Sequence, residues 1–174
     1  MEVADAIALI KPALSHKKIQ SSIWADLGSG SGTFTKALSF LLGYGSKIYA
    51  VDKESQRIKP STGGDAEIEF VNLNFVDDTL PFRNLDGILM ANSLHFVKNK
   101  SEFVERIKKY LKADGQMIVV EYERNEPTAW VPYPIGLNNL VQTFSACGYS
   151  RIEKVGEKDS IYGSEKMYAC SIKS

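Results

Sequence analysis

The chain has 174 residues, 44% hydrophobic and 24% charged, with Lys+Arg and Asp+Glu equal at 21 each. That length and balance suit one soluble domain with a sizeable core, and zero formal net charge provides no general attraction to nucleic acid or to an acidic membrane. No apolar run approaches the ~20 residues that span a bilayer, and Glu2 and Asp5 stand where a signal peptide would carry positive charge, so the cytoplasm is the expected compartment.

Val3, Ala6, Ile7, Ile10 and Leu14 recur at helical spacing and predict a helix over 2–15, with Pro12 in its last turn. After a loop from His16 to Ser22, the apolar run Ile23-Trp24-Ala25 reads as a buried strand. It enters a turn with glycines at alternate positions, Gly28-Ser29-Gly30-Ser31-Gly32, and a helix from Thr33 to Leu42 leaves it. Lys47–Asp52 reads as the second strand, with a short helix over Lys53–Lys59 stopped by Pro60 and a loop over 61–65. Ile68–Val71 is the third strand, and Asp86–Ala91 the fourth, with Asn92–Val97 as its exit loop. Phe103, Val104, Ile107, Tyr110 and Leu111 predict an amphipathic helix ended by Asp114-Gly115, followed by a fifth strand over Gln116–Tyr122. A polar, aromatic and proline-rich loop spans Glu123–Pro134, then a helix from Gly136 to Ala146 closed by Gly148. Tyr149–Val155 and Lys166–Ile172 read as two last strands forming a hairpin. Strands alternating with helices predict an α/β fold with a mostly parallel sheet and an antiparallel member at its C-terminal end.

The basic clusters at Lys17-Lys18 and along Lys98–Lys112 read as solvated faces. Cys147 and Cys170 lie far apart in apolar settings and read as buried thiols of a reducing compartment. His16 and His95 are the only histidines, and no CxxC joins them, so no metal site is expected.

In an open α/β sheet, ligands bind beyond the carboxyl ends of the strands. The glycine turn, Asp52 and Asn74 fall there in order. A strand turning sharply into a helix through glycines brings bare backbone N–H groups to a ligand. Asp52 lies 24 residues after Gly28, near the ~20 expected of a ribose-binding acid. The glycines follow GxGxG, whereas the dinucleotide fingerprint is GxGxxG, whose third position here is Thr33.

Ala25-Asp26-Leu27-Gly28-Ser29-Gly30-Ser31-Gly32 resembles motif I of the class I S-adenosylmethionine-dependent methyltransferases. Ile48–Asp52 is similar to that family's second motif and Asp86–His95 to its fourth, while Lys108–Val120 resembles the helix-then-strand segment after it. The resemblance covers nearly the whole chain. It implies a Rossmann-like, doubly wound, seven-stranded sheet ending in the hairpin, formed by one methyltransferase domain over 1–174 with the N-terminal helix over the cofactor site. It also implies S-adenosylmethionine as cofactor and S-adenosylhomocysteine as product. Gly28, Ser29 and Gly30 would approach its methionine part, Asp26 would brace the loop and reach the amino group, and Asp52 would hold the ribose. Lys53 stands where the family has an apolar residue against adenine, and Asn74 where it often has Asp. The Asn74 carbonyl would accept from the adenine amine, and Phe75 would pack on the ring or in the core. Ala91 and Asn92 would lie near the sulfonium.

Methyl transfer from a sulfonium is an in-line displacement that asks the protein for alignment, and for a base only if the acceptor must lose a proton. Candidates around the acceptor are His95 as a base or positioning group, Tyr122 or Glu121, and Trp130 and Tyr133 of the proline-stiffened loop as a wall or lid. Alternation along a strand allows only one of Glu121 and Tyr122 to face the cleft. The fourth strand exits without the Asn/Asp-Pro-Pro-aromatic signature of nucleobase- and glutamine-methylating members, which favours a small-molecule acceptor over nucleic acid. Two alternatives stand beside this reading. One is an NAD(P)-dependent oxidoreductase on the same sheet; the other is a catalytically idle cofactor-binding subunit that acts through a partner. Oligomeric state and the atom methylated stay open.

Overall fold

The computed structural model describes residues 1–14, 21–55, 66–159 and 165–174. His16, Lys17-Lys18, most of the helix expected over Lys53–Lys59 and the loop over 61–65 lie outside the described residues. The elements in chain order are α1 (Val3–Leu14), β1 (Ile23–Leu27), α2 (Thr33–Leu41), β2 (Lys47–Asp52), β3 (Glu67–Asn72), β4 (Leu85–Ala91), α3 (Lys100–Lys108), β5 (Leu111–Tyr122), α4 (Leu137–Ala146), β6 (Arg151–Asp159) and β7 (Lys166–Lys173). A 3-10 turn over Leu94–Phe96 follows β4.

The seven strands form one sheet in the order β3-β2-β1-β4-β5-β7-β6. β1 pairs in parallel with both β2 and β4, and β4 in parallel with β5, whereas β7 runs antiparallel between β5 and β6. The expected hairpin is therefore present, with β7 inserted inside β6. The order reverses between β1 and β4, and the crevice at such a reversal is where open α/β sheets hold ligands.

Alternation along the central strands divides the core between the two faces. Trp24, Leu89, Ile118 and Val120 pack with α1 and α2 through Ala6, Leu9, Ile10, Ala37 and Leu38. Ala25, Ile88, Met90, Met117 and Val119 pack with α3 and α4 through Phe103, Val104, Ile107, Leu140 and Phe144. Gly87 on β4 makes room for the Trp24 indole: a Cβ there would lie 2.4 Å from Trp24 Cη2. Both cysteines are buried and unbridged. Among the described residues, no helix is long and apolar enough to cross a membrane.

The largest departures from the sequence reading lie in α3, β5 and β6, with β5 beginning at Leu111 rather than at Gln116. α3 ends at Lys108 rather than near Asp114, because the chain is already paired with β4 at Leu111, opposite Leu85. Helical periodicity through Tyr110 and Leu111 yields to that strand pairing, as propensity does to tertiary context. The start of α3 is set locally: Asn99 accepts from the Glu102 N–H, and its amide donates to the Glu102 carboxylate at 2.9 Å. β6 begins at Arg151 and runs to Asp159, four residues beyond Val155. A register shift between Lys154 and Gly156 breaks the alternation that would have marked it.

Gln116, in the middle of β5, is fully buried, and neither amide atom finds a partner among the described residues. An orphaned buried amide carries its desolvation cost, whereas an apolar side chain of similar shape does not. Gln116→Met is expected to raise unfolding free energy by about 1 kcal/mol. Urea denaturation checks this, and a loss of stability would mean the amide is satisfied in solution.

Candidate active site

The carboxyl ends of β1 and β4 open into a cavity of about 600 Å³. The glycine turn forms its floor. Gly28 N and Ser29 N both donate to Val51 O, at 2.8 and 3.0 Å, which ties the turn to the end of β2. Gly28 has φ +82°, and a Cβ on it would lie 2.5 Å from Ser93 Cβ. Ser93 is itself fixed, because its hydroxyl donates to Leu27 O at 2.6 Å. The β4 exit and the β1 exit thus close on each other across Gly28. Gly30, at φ +49°, has nothing within 4 Å of an added Cβ and faces open cavity.

Asp52 ends β2, and its carboxylate orders the same turn. Oδ2 accepts from Gly30 N at 2.8 Å and Oδ1 from Glu54 N at 2.9 Å. Asp26 lies beneath the turn, 1% exposed. Its Oδ2 accepts from the Thr35 hydroxyl at 2.6 Å, while Oδ1 has no partner. Burial pushes its pKa up to about 7, against the Thr35 hydrogen bond, and the charge of Asp52 adds to the rise. The folded pKa lies above the unfolded value, so the folded chain holds the extra proton between about pH 4 and 7. The stability that Asp26 contributes is complete below about pH 4 and lost as pH rises toward 7. Asp26→Asn is expected to flatten the decline in melting temperature between pH 5 and 7; an unchanged slope in that variant would remove Asp26 as its source.

The far wall is built from the segment after β3. Asn74 Oδ1 accepts from Val76 N at 3.1 Å, and its amide donates to Asp77 Oδ2 at 2.7 Å. The carbonyl expected to face an adenine therefore shapes its own turn. Arg106 of α3 donates to Phe75 O and Val76 O at 2.8 and 2.5 Å and holds this wall in place.

Of the residues singled out in the sequence, Asp26, Gly28, Ser29, Gly30, Asp52, Lys53, Asn74, Phe75, Ala91, Asn92 and Tyr122 line this one cavity. His95 and Tyr133 do not. His95 is 3% exposed, and its Nδ1 donates to Glu121 Oε2 at 2.8 Å while its backbone N–H donates to Glu121 Oε1. Alternation along β5 sends Tyr122 to the cavity and Glu121 to this buried pair. The His95 ring meets Phe96, 4.4 Å between centroids, and it is Phe96 that lines the cavity. Tyr133 N donates to His95 O, and Lys100 Nζ to Tyr133 O at 2.7 Å, so the proline-rich loop is fastened to the β4 exit from behind. Trp130 is 84% exposed and stands outside the cavity lining rather than as its wall. α1 packs on α2, β6 and β7, and only Met1 before it reaches the lining.

Sequence reading missed Phe34, Ser93, Phe96, Lys158 and Met167 among the lining residues. Ser93 and Phe96 lie inside the segment already singled out. Lys158 and Met167 come from the hairpin, and only the insertion of β7 beside β5 brings them to the crevice.

The donor set suits a nucleoside carrying a zwitterionic tail. Asp26 Oδ1, Ser29 Oγ and Asn92 Oδ1 are buried polar atoms without partners, all on residues of this cavity. The turn beside them lacks Cβ atoms at Gly28 and Gly30. Among the described residues, no cluster of His, Cys, Asp and Glu could hold a metal ion.

Known proteins agree with this geometry. A family model described as a methyltransferase domain matches residues 25–119, more than half of the chain. A curated relative from Hahella chejuensis, a ubiquinone/menaquinone biosynthesis C-methyltransferase, is 25% identical over 105 residues, covering 57% of this chain and 42% of that protein. The match thus spans less than half the length of that relative. The fold is shared with a Burkholderia thailandensis 1,6-didemethyltoxoflavin-N1-methyltransferase solved with bound 1,6-didemethyltoxoflavin and S-adenosylhomocysteine. It aligns at TM-score 0.70 and 18% identity, over 99% of this chain and 78% of that one. A SAM-dependent methyltransferase from Aquifex aeolicus aligns end to end, covering 100% of both chains at TM-score 0.64 and 16% identity. With its glycine turn, its acid at the end of β2 and its inserted β7, the chain belongs to the methyltransferase domain family of class I S-adenosylmethionine-dependent methyltransferases.

Proposed function

We propose that residues 1–174, acting as one domain, transfer a methyl group from S-adenosylmethionine to a small-molecule acceptor by in-line displacement. The observation that carries this reading is the pair of buried, unpartnered polar atoms, on Asp26 and Ser29, at a glycine turn with open space above Gly30. When bound, S-adenosylmethionine supplies a sulfonium-activated methyl group and a neutral thioether leaving group.

The chain's own residues bind, align and exclude water. The Asp52 carboxylate accepts the ribose hydroxyls while holding the Gly30 N–H, so turn geometry and sugar position depend on one group. Asp26 Oδ1 faces the amino group of the methionine tail. A cation there favours the carboxylate form, and binding should draw off the proton that burial retains. Phe75 and Val76, anchored by Arg106, cover the adenine, with the Lys53 stem at its edge. Ala91 leaves room at the sulfonium. His95 acts as a positioning residue: through Glu121 behind it and Phe96 before it, it sets the wall nearest the acceptor. Buried free thiols at Cys147 and Cys170 suit a reducing compartment such as the cytoplasm.

Isothermal titration tests the cofactor directly. S-adenosylhomocysteine is expected to bind with a stoichiometry near one and NADH not at all; the opposite pattern sinks the methyltransferase reading in favour of an oxidoreductase. Transfer of a labelled methyl group to a panel of small acceptors then tests turnover.

A further inference from the structure

Strand order sets out one side of the cavity in sequence. The glycine turn leaves β1, Asp52 ends β2, and the wall from Asn74 to Asp77 follows β3, which lies beyond β2 at the edge of the sheet. A nucleoside with its tail on the glycine turn and its ribose at Asp52 therefore has its base against that wall. The exocyclic amine of adenine is a donor, and leaving it unpaired there is costly. Most acceptors of the wall are already engaged. Asn74 Oδ1 takes the Val76 N–H at 3.1 Å, and Asn74 O takes those of Asp77 and Asp78 at 3.1 and 2.9 Å. Phe75 O and Val76 O take the Arg106 guanidinium. Asp78 Oδ2 takes the Asn74 N–H at 2.9 Å, and Asp78 stands outside the cavity lining. Asp77 differs. It lines the cavity and is exposed, and Oδ2 alone is engaged, by the Asn74 amide at 2.7 Å. Oδ1 has no partner among the described residues. The Asn74 amide thus holds the carboxylate by one oxygen and leaves the other for a ligand.

Building on the donor site proposed above, we propose that Asp77 is the residue that selects the base: its Oδ1 accepts from the adenine amine, and Asn74 is the positioning residue that aims it. Hypoxanthine presents a carbonyl oxygen where adenine presents the amine, so it meets the carboxylate acceptor to acceptor and is rejected.

The test titrates the full chain by calorimetry with two ligands, S-adenosylhomocysteine and S-inosylhomocysteine, which differ only in adenine against hypoxanthine. The adenine ligand should bind roughly tenfold or more tightly, the scale of a bond to a charged acceptor. Asp77→Ala should bring the two affinities within about threefold of each other, because no acceptor is left to tell the bases apart. In Asp77→Asn the Asn74 amide claims the new carbonyl oxygen, which turns the N–H₂ to the base, and the preference should invert toward S-inosylhomocysteine. Asn74→Ala releases the carboxylate and should lower the wild-type preference at least threefold. A general loosening of the wall weakens both ligands together and moves none of these ratios. A wild-type preference below tenfold, a preference above threefold in Asp77→Ala, no inversion in Asp77→Asn, or an unchanged preference in Asn74→Ala overturns this proposal and leaves the donor site standing. Failure of S-adenosylhomocysteine itself to bind overturns the donor site first, and this proposal with it.

Discussion

Gly28→Ala is expected to lower unfolding free energy by about 2–5 kcal/mol, whereas Gly30→Ala should cost no more than about 1–2 kcal/mol and act on ligand binding instead. Both residues have positive φ, so each alanine carries left-handed strain of about 1–2 kcal/mol. They differ in what the new methyl meets. At Gly28 it overlaps Ser93 Cβ at 2.5 Å and crowds Phe75 Cε1 at 3.2 Å. Ser93 cannot step aside without giving up its bond to Leu27 O. The β1 and β4 exits must then separate, and overpacking of this kind adds about 1–3 kcal/mol. At Gly30 the methyl enters open cavity, the space that the cofactor takes on the proposed reading, and meets no protein atom. S-adenosylhomocysteine affinity should therefore fall tenfold or more in Gly30→Ala with the fold intact. Urea unfolding and calorimetry on the two variants make the comparison. A larger stability loss at Gly30 than at Gly28 would contradict the packing described for this turn.

Asp52→Ala should weaken S-adenosylhomocysteine binding by about 2–4 kcal/mol, roughly 30- to 1000-fold. The side chain serves both partners of the complex. It is the acceptor for two backbone N–H groups, at Gly30 and Glu54, and on the proposed reading it also receives the ribose hydroxyls. Bonds to a charged acceptor contribute about 1.5–3 kcal/mol each where they are made. The alanine variant loses the sugar contacts and also frees the Gly30 N–H that shapes the turn. Asp52→Asn keeps one carbonyl oxygen and should fall between wild type and alanine. Affinity in Asp52→Ala within threefold of wild type would take Asp52 out of the site.

The two glycines were equally visible as a turn, yet nothing local distinguishes them. What separates their roles is Ser93, 65 residues further on, carried to Gly28 by the parallel pairing of β1 and β4. Asn74 shows the same limit: its place after β3 was legible, but its carbonyl is engaged by Val76 N, a contact set by how the segment turns. His95 was singled out for a chemistry that depends on access. Its burial against Glu121, 26 residues away, follows from the adjacency of β4 and β5 and not from its neighbours in sequence.

The sequence by itself determined the α/β alternation, the glycine turn, the acid ending β2 and the hairpin at the end of the chain. Each of these is written in local chemistry: periodicity, glycine spacing, and a charged residue closing an apolar run. Only the tertiary structure decided that β7 inserts between β5 and β6, that Met167 and Lys158 thereby reach the crevice, and that the Asn92 amide N–H₂ meets the Met167 sulfur. Those outcomes depend on which strand edges meet across the sheet, and pairing between distant segments leaves no periodic mark in either one.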